Sequence, residues 1–397
     1  MGGCITLLFL QVSDTHLGAS RPGKLREREL DFYDAFNEVV EIAIREHVDA
    51  VIHAGDFFDE PRPTPQAYLF AYKALKKLRD RGVDFLIVAG QHDQPRISQL
   101  PPLRVLGEMG LIRLLAQDNP ETHIIKTRSG ELGVVAIPYL SPVKIGESLR
   151  NIRVPETSKR ILVAHLLLKE LNIPNAHASL AELSADKYSY VALGDYHLKY
   201  ETRYRGVLAT YTGSTEALDI LEALSDKYIA LVDLSTSEAR VNWVKLNTPR
   251  KWFRVEVRNY RELLDNISKI TLEKYSKTPI LYVTLKGRLN DIETRRIRDY
   301  VNKLISEKKI LVGRVEVEEG EESRLTTRSA LFEATSSSQT LTLDQVVFSV
   351  LGDRELAEIV LALLKSSESV EDVKLVVSRV LEDEKLIGKI KRLVSTK

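Results

Sequence analysis

Along this chain the apolar residues gather in short runs, and five of those runs end alike. The run 7–12 leads into Ser13-Asp14-Thr15-His16, and 49–52 leads into His53-Ala54-Gly55-Asp56. The run 85–88 leads into Ala89-Gly90-Gln91-His92-Asp93, 161–163 into Ala164-His165, and 190–193 into Gly194-Asp195-Tyr196-His197. Apolar runs of this length, bounded by turn residues, read as buried strands. Each therefore delivers Asp, His or an amide at the C-terminal end of a strand, the edge where α/β folds hold ligands. One such ending is an ordinary turn or helix cap. Five together, carrying five of the chain's 8 His, define a candidate site.

Between the strands the period changes to that of a helix. Phe32, Phe36, Val39, Val40 and Ala43 predict a helix covering a first β-α-β unit. Thr64 and Pro65 are suited to start a second helix, running to about residue 80 and ended by Gly82. Tyr68, Leu69, Phe70 and Tyr72 give it more apolar surface than one face needs, for core packing or for a dimer. A short helix is expected over 103–109, and strands and loops alternate from 122 to about 211.

The pattern changes at 242–251, around Pro249, where a domain boundary is expected. Beyond it the order is strand 252–257, helix 260–275, strand 280–285, helix 292–306 and strand 311–317, a small α+β unit. An acidic, then Ser- and Thr-rich stretch reads as a linker. The stripes Leu356, Ile359, Val360, Leu363, Leu364 and Val373, Val376, Val377, Val380, Leu381 predict terminal amphipathic helices suited to docking on a partner. The domains expected are thus 1–246, 250–318, a linker 319–339 and a helical segment 340–397.

Composition narrows the class. The 397 residues suit two or three domains, and no apolar run approaches the ~20 residues of a membrane span. A net charge of +1 neither favours nor excludes nucleic acid, since a basic surface can be local. Cys4 is the lone cysteine, which excludes an internal disulfide and fits a cytoplasmic setting. The start Met-Gly-Gly-Cys-Ile-Thr matches a myristoylation pattern, but the same stretch is needed as the strand that presents Asp14.

Asp and His with one amide, and no Cys, form a hard-to-borderline ligand set suited to Mn²⁺ or Fe, with Zn²⁺ possible. There are too many such groups for one ion. Two ions bridged by a carboxylate form the usual site for hydrolysing phosphoesters.

The array Asp14-x-His16, Gly55-Asp56-x-x-Asp59, Gly90-Gln91-His92-Asp93, His165 and Gly194-Asp195-x-His197 resembles the calcineurin-like metallophosphoesterase superfamily. Within it, Arg62-Pro63-x-Pro65, the small α+β unit and the terminal helices resemble the meiotic recombination eleven and SbcD family of double-strand-break repair nucleases. That resemblance implies an α/β fold, a two-sheet β-sandwich flanked by helices with a small capping domain. It implies two Mn²⁺ ions per chain: Asp14, His16, Asp56 and His197 at the first, Asp56 bridging, and Gln91, His165 and Asp195 at the second. His92 would stand at the scissile phosphate as transition-state stabiliser or general acid, and Asp93 would hold loop geometry. It also implies DNA ends as substrate, cut by exonuclease and single-strand endonuclease action, a homodimer, and an SMC-like ATPase held by the C-terminal helices. Arg62, Arg96, Lys199, Arg203 and Arg205 are candidate DNA contacts, and residues 21–28 a candidate basic lip touching phosphates.

Two positions depart from the family pattern, both at the second ion. Gln91 stands where the family has Asn, and Asp195 where it has His. The longer stem of Gln ligates only if its loop retreats, and Asp adds negative charge. Two alternatives stay open on sequence: a catalytically weakened scaffold on the same fold, and a small-molecule phosphodiesterase.

Overall fold

The computed structural model describes residues 7–95, 100–174, 176–236, 238–287 and 290–317. The linker and terminal helices expected over 319–397 lie outside the described residues, as do Cys4 and Arg96.

The first half of the chain builds β1 (Leu8–Val12), β2 (Ala50–His53), β3 (Asp84–Val88) and β4 (Arg113–Ala116), all parallel neighbours in that order. They are joined by α1 (Arg26–Arg45), α2 (Pro65–Asp80) and α3 (Pro102–Glu108). A second sheet follows, with β5 (Glu121–Thr127), β6 (Gly130–Ile137), β7 (Lys159–His165), β8 (Tyr190–Gly194), β9 (Tyr200–Tyr204) and β10 (Val207–Tyr211). The helix α4 (Pro142–Ser148) joins β6 to β7. After α5 (Ile220–Ala223) the chain returns to the first sheet as β11 (Tyr228–Asp233) and β12 (Arg240–Lys245), so that its order is β12-β11-β1-β2-β3-β4.

Alternation along the strands explains the layers. Phe9, Ile52, Leu86 and Val88 of the first sheet share one core with Val134, Ala136, Ile161 and Val163 of the second. Their sequence neighbours Leu10, Val12, Val51, Phe85 and Ile87 face the opposite way, into a core with Phe36, Val39 and Val40 of α1 and Leu75 of α2. On the far side of the second sheet, Val135, Leu162 and Ala164 pack with Leu166, Leu168 and Leu180. This is the expected two-sheet sandwich with helices outside. A polar staple crosses it: Gln11 Nε2 donates to Thr210 O at 3.0 Å, and Tyr190 Oη donates to Gln11 Oε1 at 2.5 Å.

The helix starts follow cap chemistry. Thr64 Oγ1 accepts from Ala67 N ahead of Pro65, as the sequence suggests, and α2 ends at Asp80.

Residues beyond Pro249 form a third sheet, β13 (Trp252–Val257), β14 (Ile280–Leu285) and β15 (Val312–Val317), with α6 (Tyr260–Ser268) and α7 (Asp291–Ser306). The helix expected over 260–275 stops at Ser268. Ile270 N closes back on Ile267 O, Thr271 leaves helical geometry at ψ 82, and Leu272–Lys274 is a separate 3-10 turn. Met1–Leu285 and Asn290–Glu316 make one compact unit; a second, Lys286–Leu289 with Val317–Lys397, lies almost wholly outside the described residues. No helix among the described residues is long and apolar enough to cross a membrane.

A buried charge network ties α1 to the third sheet's segment. Asp31 accepts from Arg250 Nε at 2.6 Å and Nη2 at 2.9 Å and from Arg28 Nη1 at 2.6 Å, and forms an ion pair with Lys277 Nζ at 3.1 Å. The Arg28 guanidinium also lies over the Trp252 ring at 5.3 Å. Removing one partner from such a network strands the others' charge in a dry interior. Asp31→Ala is therefore expected to destabilise the fold by about 3–5 kcal/mol, read by denaturant unfolding. A loss under about 1 kcal/mol, the range of a surface ion pair, would show that the network is not a structural tie.

Candidate metal centre

The strand order brings the C-terminal ends of β1, β2, β3, β7 and β8 to one edge of the sandwich. The first two loops continue the sheet beyond its strands. Asp14 N donates to Gly55 O at 3.0 Å, His16 N to Asp56 O at 3.1 Å and Leu17 N to Phe57 O at 2.9 Å. To turn their side chains inward, Asp14, His16, Asp56 and Asp195 adopt φ of 50, 43, 55 and 90°. Such left-handed backbone costs about 1–3 kcal/mol per non-glycine residue, and it persists where surrounding structure fixes it. Two glycines make room. A Cβ on Gly55 would lie 2.3 Å from His165 Nδ1, and one on Gly90 would lie 2.1 Å from Asp56 Oδ1.

Three groups of ligand-type atoms result, each with its atoms within 4.8 Å of one another: Asp14 with His16 and His197, Asp14 with Asp56 and His165, and His16 with Asp59 and His92. Asp14 belongs to two groups. Asp56 Oδ2 stands between His16 Nε2 at 3.9 Å and His165 Nε2 at 3.5 Å. Asp195 Oδ1 lies 3.8 Å from the same His165 nitrogen, and Asp195 N donates to Asp14 Oδ1 at 3.1 Å.

The imidazoles are oriented by their other nitrogens. His165 Nδ1 donates to Ala54 O at 2.8 Å, His92 Nδ1 to Asp59 O at 2.5 Å, and His197 Nδ1 to Glu222 Oε1 at 2.7 Å. This leaves each Nε2 as the free nitrogen. His165 Nε2 is buried with no hydrogen-bond partner, facing two carboxylates, and His16 Nε2 and His197 Nε2 face each other at 3.3 Å.

The electrostatics reflect crowded acids. Burial pushes the Asp195 carboxyl up to about 6; His165 opposes this, while Asp14 and Asp56 reinforce it. Burial works against a charged His165, yet Asp56, Asp195 and Asp14 hold it well above the usual imidazole range. Three carboxylates around an orphaned imidazole nitrogen fit divalent cations with oxygen and nitrogen ligands.

The remaining candidates divide. His92 is partly buried and opens on a cavity of about 700 Å³ that Gln91 also lines; Gln91 itself is exposed. Asp93 is fully buried, and its carboxylate accepts from Gly90 N, Phe57 N and Phe58 N, fixing two site loops together. Arg62 is exposed. Lys199 sits over the rings of Tyr228 and Trp243 at 4.4 and 4.6 Å, in a groove between β9 and β12 rather than in the cavity at His92. His53 is fully buried, with Nε2 3.0 Å from Thr15 Oγ1.

Two residues of the site carried no role in the sequence reading. Asp59, a member of the quoted motif, joins His16 at 3.3 Å and Arg21 at 2.5 Å. Glu222 had no motif around it. Its second oxygen accepts from Ser214 Oγ at 2.9 Å and Leu218 N at 3.1 Å and lies 3.4 Å from Lys227 Nζ. Burial alone would raise Glu222, but His197 and Lys227 bring it down to about 2.

The sequence model of the calcineurin-like phosphoesterases matches residues 7–210, and with it fold and site define a metal-dependent phosphodiesterase whose class carries a dinuclear centre. Three archaeal proteins, each named DNA double-strand break repair protein Mre11, are similar over most of the chain. That of Sulfurisphaera tokodaii is 32% identical over 70% of this chain and 73% of its own. Those of Sulfolobus acidocaldarius and Saccharolobus solfataricus are 32% and 33% identical, over 74% and 70% of this chain and 80% and 75% of theirs. The chain belongs to the Mre11 family of calcineurin-like phosphoesterases, enzymes of the nuclease type.

A carboxylate behind a ligating imidazole fixes its orientation and raises its basicity, and losing it costs about 10–100-fold in metal affinity. Glu222→Ala is expected to weaken Mn²⁺ binding at one site by that factor in calorimetric titration. Unchanged affinity at every site would show that Glu222 does not position His197.

Proposed function

We propose that this chain is a Mn²⁺-dependent nuclease that processes DNA ends in double-strand-break repair. The observation that carries the reading is the convergence of Asp14, Asp56, Asp195, His16, His165 and His197 beside an open cavity lined by His92. Asp14, His16, Asp56 and His197 would hold one cation, with Asp56 shared. His165 and Asp195 would hold the second, with Gln91 reaching it if its loop retreats. When bound, two divalent cations supply an acidified water and a sink for phosphoryl charge. His92, its Nδ1 fixed by Asp59 O, keeps Nε2 for the phosphodiester. There it can hydrogen-bond a non-bridging oxygen or give its proton to the leaving oxygen.

The names of the relatives support DNA breaks as the substrate setting. Extra carboxylate at Asp195 favours Mn²⁺ over softer ions. The activity would include exonuclease and single-strand endonuclease cleavage. An SMC-like ATPase bound through the segment 340–397 and a homodimer through the aromatic-rich α2 together with α3 complete the assembly; the exposed Leu69 on α2 is consistent with the latter.

A second reading, a scaffold with a weakened second metal position, is favoured by the exposure of Gln91. Cleavage of end-labelled double-stranded DNA with Mn²⁺ separates the two. The nuclease reading expects the unmodified chain to cut and His92→Ala to lose at least about 10²-fold in rate, the scale of general acid–base catalysis. Cutting only by the variant combining Gln91→Asn with Asp195→His would establish the scaffold instead.

A further inference from the structure

Between the β1 loop and α1 the chain runs over the mouth of the site as a lip, from Ser20 to Lys24. Its side chains Ser20, Arg21 and Lys24 line the same cavity as His92. Arg21 is half exposed, with a side-chain exposure of 51%, yet its position is fixed at two points. At its tip, Nη2 donates to Asp59 Oδ1 at 2.5 Å, and the carbonyl of the same Asp59 holds His92 Nδ1. At its backbone, the Arg21 carbonyl accepts from Arg28 Nε at 2.8 Å. Arg28 in turn is fully buried, with Nη1 on Asp31 and Nη2 on Ala217 O at 2.6 Å. A single residue, Asp59, therefore sets the spacing between the Arg21 guanidinium and the His92 ring.

A guanidinium carries five N–H donors in a fixed fork, and Asp59 engages one nitrogen. The rest remain for a planar or tetrahedral oxyanion, the geometry in which Arg outperforms Lys. Lys24 adds a second cation. It is exposed, adopts φ 52°, and has no ion pair among the described residues. The carboxylates on the same wall are Asp59, already shared between Arg21 and His16, and Glu60. A structural strap would need neither a lysine without an ion pair nor an arginine side chain left half in water.

We propose that Arg21 and Lys24 form a phosphate subsite that grips the phosphodiester next to the one presented to His92. The inference rests on the nuclease reading and deepens it: the ligand is the backbone of a nucleic-acid strand, not a lone phosphate ester. A substrate with a single phosphate would use only the metal centre and His92.

The test is binding of a fluorescein-labelled single-stranded oligonucleotide to the full chain in EDTA, by anisotropy across a salt series. Each cation that neutralises a phosphate contributes about 0.7 to the slope of log affinity against log salt on single strands. Arg21→Gln and Lys24→Gln are each expected to make the slope shallower by about that amount. Arg21→Lys keeps the slope but weakens binding, because the fork is lost. Lys126→Gln, on β5 and outside the cavity, leaves the slope as it was. With metal present, the loss in DNA cleavage should fall in KM rather than kcat, as for an interaction made equally in the ground and transition states. Salt-dependent binding whose slope in both Gln variants equals that of the unmodified chain would overturn the subsite and leave the nuclease reading standing. An unmodified chain with no salt-dependent affinity for the oligonucleotide would overturn both.

Discussion

Three carboxylates gathered in a dry pocket govern this molecule. Asp14 and Asp56 are almost fully buried, and Asp195 joins them from the end of β8. Like charges this close cannot all stay ionised without positive charge among them. The protein alone answers in part, by holding His165 well above the usual imidazole range and pushing Asp195 up to about 6. Divalent cations answer it fully, and the rest of the sandwich is arranged so that those acids meet.

That arrangement depends on backbone geometry as much as on residue choice. A strand ending in ordinary extended backbone would send its next side chain along the sheet. Left-handed residues at Asp14, His16, Asp56 and Asp195 turn the side chains inward, and Gly55 and Gly90 leave the space they turn into. The strain is held by hydrogen bonds across the loops, above all those that Asp93 makes to Gly90, Phe57 and Phe58. The imidazoles are then locked through their Nδ1 atoms to Ala54, Asp59 and Glu222, so each Nε2 points where a ligand is needed. Further out, Arg28 links the lip at Arg21 to Asp31, and Asp31 to Arg250.

Much of this was legible because short-range pattern and long-range role coincide. An apolar run followed by Asp or His marks both a strand end and the side chain it delivers to the cluster, so β1, β2, β3, β7 and β8 and their terminal residues were readable directly. Thr64-Pro65 announced α2 for an equally local reason. What stayed hidden acts through space. Glu222 sits in a four-residue helix, 25 positions from the histidine it holds, with no neighbouring motif to flag it. Arg28 and Asp31 look like the charged face of an amphipathic helix, yet they are buried because Arg250 folds back onto them. Lys199 follows a motif closely in sequence, but the turn into β9 carries it to another groove. The end of α6 was misread because Ile270-Thr271 continues the apolar rhythm while Thr271 breaks the backbone.

Whether the acid cluster is built for two cations is decided most directly by counting them. Calorimetric titration of the metal-stripped chain with Mn²⁺ should give two ions per chain, the second weaker than the first because Asp195 and the exposed Gln91 replace the family's ligands. A single ion per chain, or none, would contradict the two-ion centre.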